Sequence, residues 1–195
     1  MSLPDSAFVD PPWDAPLDTE RALATIPASA AIAGMFFLAL ADGAERRQVE
    51  LELPRPRYLP FGFYPVREFA PLLLQAASSF YPQALLRQGL RRIGMAAPTA
   101  FLGSTLGRVT LGASEGVQAT VTAIAKTYGI NTRPSRCAVT EVAARRIVIS
   151  LDEVHYFLDS HHVGVFEGTL EHAGVEGRVR LHRRSETAGD LLLEW

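Results

Sequence analysis

The chain has 195 residues, 48% of them hydrophobic and 21% charged, with a formal net charge of −2. A chain of this size and composition can bury a sizeable core in one domain, and its near-neutral charge excludes bulk attraction to nucleic acid or an anionic membrane. The single cysteine, Cys137, excludes an intramolecular disulfide and a cysteine-built zinc or iron–sulfur centre, and it favours a reducing, cytoplasmic setting.

Residues 1–16 hold Pro4, Pro11, Pro12 and Pro16 among scattered acids and read as an extended tail. Phe8 and Trp13 are the side chains able to pin it onto a domain spanning 17–195. Asp18 is placed to cap a short helix over 19–25. Residues 22–41 lack charge and have the length of a membrane span, but Thr25, Pro27, Ser29 and Gly34 interrupt them, so no integral membrane segment is expected. The acidic residues ahead of them exclude the basic start of a signal peptide. The run is read instead as a buried strand near 30–32, a switch at Gly34 and a buried helix to about residue 41. Strict alternation of Val49, Leu51 and Leu53 predicts a half-buried strand over 48–53, ended by Pro54 and Pro56.

Pro65 suits the start of a helix whose inner face carries Phe69, Leu72, Leu73, Ala76 and Phe80, with Pro71 as a kink or a later start. Leu86, Leu90 and Ile93 share the face of the next helix, with Gly94 as its stop. Pro98 opens a third helix containing Phe101, Thr105, Leu106 and the close-approach pair Gly103 and Gly107. Ser114 caps a fourth, lined by Val117, Val121, Ile124 and Tyr128 and ended by Gly129.

Then the period changes from helical to two. Cys137, Val139, Ile147, Ile149 and Leu151 predict an antiparallel hairpin turning near 141–145. A last helix follows over about 160–173, with Val163, Phe166 and Leu170 inward, Gly164 and Gly168 four apart, and Gly174 as its stop. A second hairpin over 178–195 closes the chain, with Val179 and Leu181 inward. Helices first and hairpins later predict an α+β fold, a helical layer on one face of an antiparallel sheet.

No nucleophile, base and oxyanion donor are linked by motif, so no catalytic residues are assigned and the chain reads as non-enzymatic. Tyr58, Phe63, Tyr64, Phe69, Phe101 and Phe166 are the candidates to line a ligand pocket; Phe61 and Phe80 extend the same aromatic stripe, and a packed core is the alternative. Arg87 and Arg91, next to Arg92, are candidates for binding an anion; the alternative is a solvated helix face. His155, His161 and His162 with Asp152 and Asp159 have the composition of a metal site. Adjacent histidines diverge on a helix, however, so the stretch is read as a polar loop and helix start capped by Asp159 or Ser160, and no metal or other cofactor is expected. Cys137, in a strand, reads as an inert core thiol.

RYLPFGFYPVREFAPLLLQAA, YPQALLRQGLRRIG, FLGSTLGR and GVFEGTLEHAG, in that order, resemble a paralogous family of roughly 200-residue myxobacterial proteins of unknown function. That family is distantly similar to the fold shared by haem–nitric-oxide-binding domains, 4-vinyl reductase domains and TRAPP-complex subunits. The resemblance implies an apolar pocket between helices and sheet. The axial histidine and the Tyr-x-Ser-x-Arg signature of the haem domains have no counterpart, since no histidine precedes His155. The cysteines of the reductase domains are missing around Gly189. The expected function is a sensor or carrier of a small apolar ligand. The alternative is a protein-interaction module that forms a homodimer through TRAPP-like helices. Neither reading involves nucleic acid.

Overall fold

Where the hydrophobic period changes, the architecture changes with it. The computed structural model describes residues 3–103 and 116–195. The helices are α1 (Thr19–Ala24), α2 (Gly34–Arg47), α3 (Val66–Phe80), α4 (Leu86–Gly103), α5 (Val117–Asn131) and α6 (Val163–His172), the last preceded by a π-helical turn, Leu158–His162. The strands are β1 (Ala31–Ala33), β2 (Phe63–Pro65), β3 (Thr132–Arg133), β4 (Arg136–Ala143), β5 (Arg146–Asp152), β6 (Arg178–Arg183) and β7 (Gly189–Glu194). The two hairpins merge into one antiparallel sheet in the order β4-β5-β7-β6, and β1 is the centre of a small second sheet, β2-β1-β3. Thus the α+β class and its helical layer on an antiparallel sheet are what the chain adopts.

The alternation in the hairpins decides the inner face. Ile147, Ile149, Leu151, Leu191, Leu193, Val179 and Leu181 pack against Val121, Ile124 and Tyr128 of α5 and Val163, Phe166 and Leu170 of α6. A second core joins α2, α3 and β1 through Ile32, Phe37, Phe69 and Leu73 to Tyr156 and Phe157. The outer face of the sheet is covered from the N-terminus. Phe8, 3% exposed, packs on Val148 and Leu192, and Val9 exchanges both backbone hydrogen bonds with Leu181 (3.0 and 2.8 Å). Trp13 lies under the Arg91 guanidinium, 4.7 Å from its ring centroid.

Asp18 caps α1 by accepting from the Arg21 amide (3.0 Å), and β1 passes into α2 at Gly34. Several boundaries differ from expectation. Helix α2 continues to Arg47, where the basic pair Arg46 and Arg47 suits the negative end of the helix dipole. No strand forms over 48–53. Gln48 adopts the left-handed conformation that ends α2, and the following amides bond outside any ladder, Val49 to the Ala44 carbonyl and Glu52 to the Gln75 side chain. The alternation is matched by no partner edge.

Gly94 does not stop a helix, and Pro98 does not open one; both lie inside α4. A β-carbon at Gly94 would collide with the His161 carbonyl, one at Gly164 with the Arg91 carbonyl and one at Gly168 with the Met95 carbonyl. Glycine therefore lets α4 cross the π-turn and α6 backbone to backbone. Gly129 likewise falls inside α5, which runs to Asn131, whereas Gly174 does end α6, at φ +76°. Thr105, Leu106, Gly107 and Ser114 lie outside the described residues.

Candidate functional site

The crossing of α4 over the π-turn leaves a cavity of about 50 Å³ between the two cores. Phe36 closes it from α2, Pro98 and Phe101 from α4, Ile124, Thr127, Tyr128 and Asn131 from α5, and Tyr156, His161, His162 and Val165 from the C-terminal half. Its chemistry is apolar with one polar seam. The Tyr128 hydroxyl and His162 Nδ1 are 2.9 Å apart. If Tyr128 donates, only Nε2–H of His162 is left without a partner; the reverse tautomer would also strand the tyrosine proton. We therefore assign Tyr128 as donor.

Two atoms of this seam, Nδ1 of His161 and Nε2 of His162, are buried without a hydrogen-bond partner. Burial pushes the His161 imidazole down to about 4, opposed by the Leu90 carbonyl. It holds His162 well below the usual histidine range, with His161 adding to the effect and the Tyr156 backbone, close by but not completing a hydrogen bond to Nε2, opposing it. Burial likewise raises the Tyr128 and Tyr156 phenols. Both imidazoles are accordingly neutral and both phenols protonated at pH 7. The aromatic rings pack tightly around them: Tyr156 is 4.6 Å from His162, and Tyr128 stacks on Phe166 at 5.9 Å, centroid to centroid.

Of the six aromatics expected to line a pocket, the structure puts Phe101 on this cavity. Phe69 and Phe166 stand behind Tyr156 and Tyr128. Tyr58 is stacked on Phe37 at 4.3 Å, Tyr64 bonds the Leu59 amide through its hydroxyl (2.8 Å), and Phe63 lies under the Arg133 guanidinium. The stripe is mostly core, because α2 and α3 need those rings to fill the space between them. Sequence reasoning missed Tyr156, His161 and His162 as lining. The histidines read as part of a polar loop and helix start, but Asp159, Ser160, His161 and His162 are all buried. Neither Asp159 nor Ser160 caps the helix through its side chain. The π-turn carries them inward, and nothing in local periodicity announces such a turn.

Arg87 and Arg91 do not form a solvated face. Arg87 Nη1 is 2.5 Å from Asp159 Oδ1, and its Nε donates to the Ala15 carbonyl (3.1 Å). Arg91 makes two hydrogen bonds to Glu167 (2.6 and 3.0 Å). Burial raises the Glu167 carboxyl, and Arg91 opposes that rise. Burial also raises the Cys137 thiol, which disfavours the reactive thiolate. Among the described residues no group of three or more histidines, cysteines or carboxylates is gathered to hold a metal ion, and no helix is long and apolar enough to cross a membrane.

The fold, with its helical layer on an antiparallel sheet, is similar to that of H-NOX proteins. The chain is similar to a point mutant of the H-NOX protein from K. algicida in its Fe(II) unliganded form, with a TM-score of 0.62 at 17% identity over 84% of this chain and 96% of that one. It is similar to H-NOX from S. oneidensis in the Fe(II)NO state (TM-score 0.57, 10% identity, 84% of this chain and 98% of that one). A point mutant of T. tengcongensis H-NOX gives 0.59 at 15% identity over 83% and 93% of the two chains. At such identities the likeness concerns the fold. By sequence, residues 26–195 match the family described as "Protein of unknown function (DUF2378)", and the chain belongs to that family. No curated protein matches it in sequence.

A haem does not fit the site as the described residues build it. Pockets for ligands of ordinary size enclose roughly 300–1,000 Å³, whereas the described residues close this cavity to about 50 Å³.

Proposed function

We propose that the chain is a non-enzymatic small-molecule-binding domain, a sensor or carrier, whose ligand enters between α4, α5 and the π-turn. The observation that carries this reading is the pair of buried, unpartnered imidazole nitrogens beside an apolar cavity. Buried polar atoms are nearly always satisfied, so unmet ones need an explanation. A compact neutral molecule with an apolar body and one hydrogen-bonding group would meet them. The cavity of about 50 Å³ has room for only a few waters as it stands, so binding widens it by moving Phe101 and Pro98 of α4. A cytoplasmic setting goes with this reading, supported by the single cysteine.

Native mass spectrometry of freshly purified protein tests the reading. The expected result is a noncovalent adduct of small mass that a Val165→Trp substitution, filling the cavity, abolishes in a folded protein. A bare chain in every preparation, with no molecule from a fragment library perturbing Tyr156 or His162 by NMR, would refute it. A second reading, an interaction module, is favoured by one observation: Leu59 and Phe61 are 57% and 68% exposed on the turn before β2. Sedimentation of the wild type and of Phe61→Ser distinguishes it, since a dimer held by that turn dissociates in the variant.

A further inference from the structure

On the other side of Tyr156 lies a larger cleft, of about 600 Å³, between α1 and the β6–β7 loop. It is separate from the cavity assigned above, and its charges are unevenly placed. At its floor two guanidinium groups share one carboxylate: Arg87 Nη1 is 2.5 Å from Asp159 Oδ1, and Arg183 Nη1 is 3.2 Å from Asp159 Oδ2. The Asp159 and Arg87 side chains are buried, 7% and 10% exposed, whereas Arg183 is 47% exposed, so the surplus charge of the trio sits on the half-exposed Arg183, in a cleft whose lining also includes the Asp18 carboxylate.

Arg184 adds nothing to this surplus. It is held away by Asp152, Asp190, the Ser150 hydroxyl and the Leu151 carbonyl. Arg183 is different. Its Nε donates to the Ser185 carbonyl and its Nη1 to Asp159, which leaves Nη2 without a partner among the described residues. Across the mouth, Arg21 of α1 is ion-paired with Glu186 of the loop, two exposed side chains 165 positions apart in sequence. A carboxylate of the protein itself therefore already occupies one anion position in the cleft. Leu17 and Ala22 give the same cleft an apolar wall.

We infer that this cleft binds a small organic anion, its charged head between Arg183 and Arg21 in place of Glu186 and its short apolar body against Leu17 and Ala22. Guanidinium groups suit such a head because they offer paired donors to a planar or tetrahedral anion. The cleft volume is that of a small-ligand site, and the chain's net charge of −2 offers nothing to a polyanion.

Calorimetric titration of the full chain at low ionic strength tests this, with hexanoate as the probe and inorganic phosphate and hexylammonium as comparisons. Hexanoate should bind saturably at 1:1, phosphate more weakly, and hexylammonium not at all. Arg183→Gln should weaken hexanoate about tenfold or more, the loss expected for a charge-assisted contact. Glu186→Gln should tighten it about threefold, the scale of an exposed ion pair no longer competing. The tightening is diagnostic, because a residue with a purely structural role gives no gain when removed. Should Arg183→Gln fail to fold, Glu186→Gln still decides the matter, since it leaves the floor untouched. The inference is overturned if hexanoate does not saturate, if hexylammonium or phosphate binds equally well, or if Glu186→Gln leaves hexanoate affinity unchanged or weakens it. None of these outcomes bears on an adduct held in the Tyr128–His162 cavity, which Val165→Trp reports separately.

Discussion

Gly168 of α6 rests against the main-chain carbonyl of Met95 in α4, with no room between them for a β-carbon. The contact is between backbones, so neither side can yield by changing a rotamer. Gly168→Leu should destabilise by about 1–3 kcal/mol, the usual range for overpacking. Gly168→Ala is the sharper test. A glycine inside a helix ordinarily gains roughly 1 kcal/mol on replacement by alanine, but here the sign should invert. Gly129→Ala is the control: that glycine lies in α5 with nothing within 4 Å of a built β-carbon, and its replacement should stabilise. Urea unfolding of the three variants checks all three signs.

Tyr128→Phe removes the donor to His162 Nδ1 and leaves a further nitrogen of the His161–His162 pair unmet. The loss should be about 1–3 kcal/mol, the cost of stranding a buried polar group. Chemical denaturation measures it, and a near-neutral result would show that His162 finds another donor.

The histidines also set a pH dependence. His161 and His162 are both depressed below the 6.5 of an unfolded histidine, His161 to about 4. Below pH 6.5 the unfolded chain binds protons that the folded chain refuses, so stability falls as pH falls toward 4. The neighbours Tyr128 and Tyr156 stay protonated throughout and do not offset this. Urea midpoints between pH 7 and 5 should therefore drop, and a folded His161→Phe variant should show a shallower slope by about one proton. An unchanged slope would mean that His161 titrates normally.

Asp159 is shared by Arg87 and Arg183 in a buried position. Asp159→Asn leaves Arg87 uncompensated, and removing one member of a buried pair costs about 3–5 kcal/mol. Glu68→Gln, which breaks the exposed pair with Arg55, should cost about 1 kcal/mol or less. Thermal unfolding of both variants compares the two.

Hemin titration gives a direct check on the small cavity. No 1:1 species with a sharpened Soret band is expected in the wild type, because the cavity between α4 and α5 is too small to take a porphyrin without rebuilding its walls. A stoichiometric Soret-absorbing complex lost in His161→Phe or His162→Phe would show that the helices open.

Sequence alone determined the elements whose hydrophobic period is regular. The change from a helical period to alternation after residue 129 was enough to predict the β4–β5 and β6–β7 hairpins and the class of fold, because alternation can bury only one face of a sheet. Asp18, Gly34 and Gly174 marked boundaries through local backbone chemistry, which depends on a few neighbours. Tertiary structure alone decided what long-range contacts decide. Gly94 is written like a helix stop, yet α4 runs through it, and the glycine serves instead to leave space for the His161 carbonyl. The 48–53 alternation became no strand because no edge pairs with it. His161, His162 and Asp159 looked like a solvated loop until the π-turn folded them inward onto Tyr128, Arg87 and Arg183. Burial of those polar groups is stable only when partners far apart in sequence arrive together, and no local pattern records their arrival.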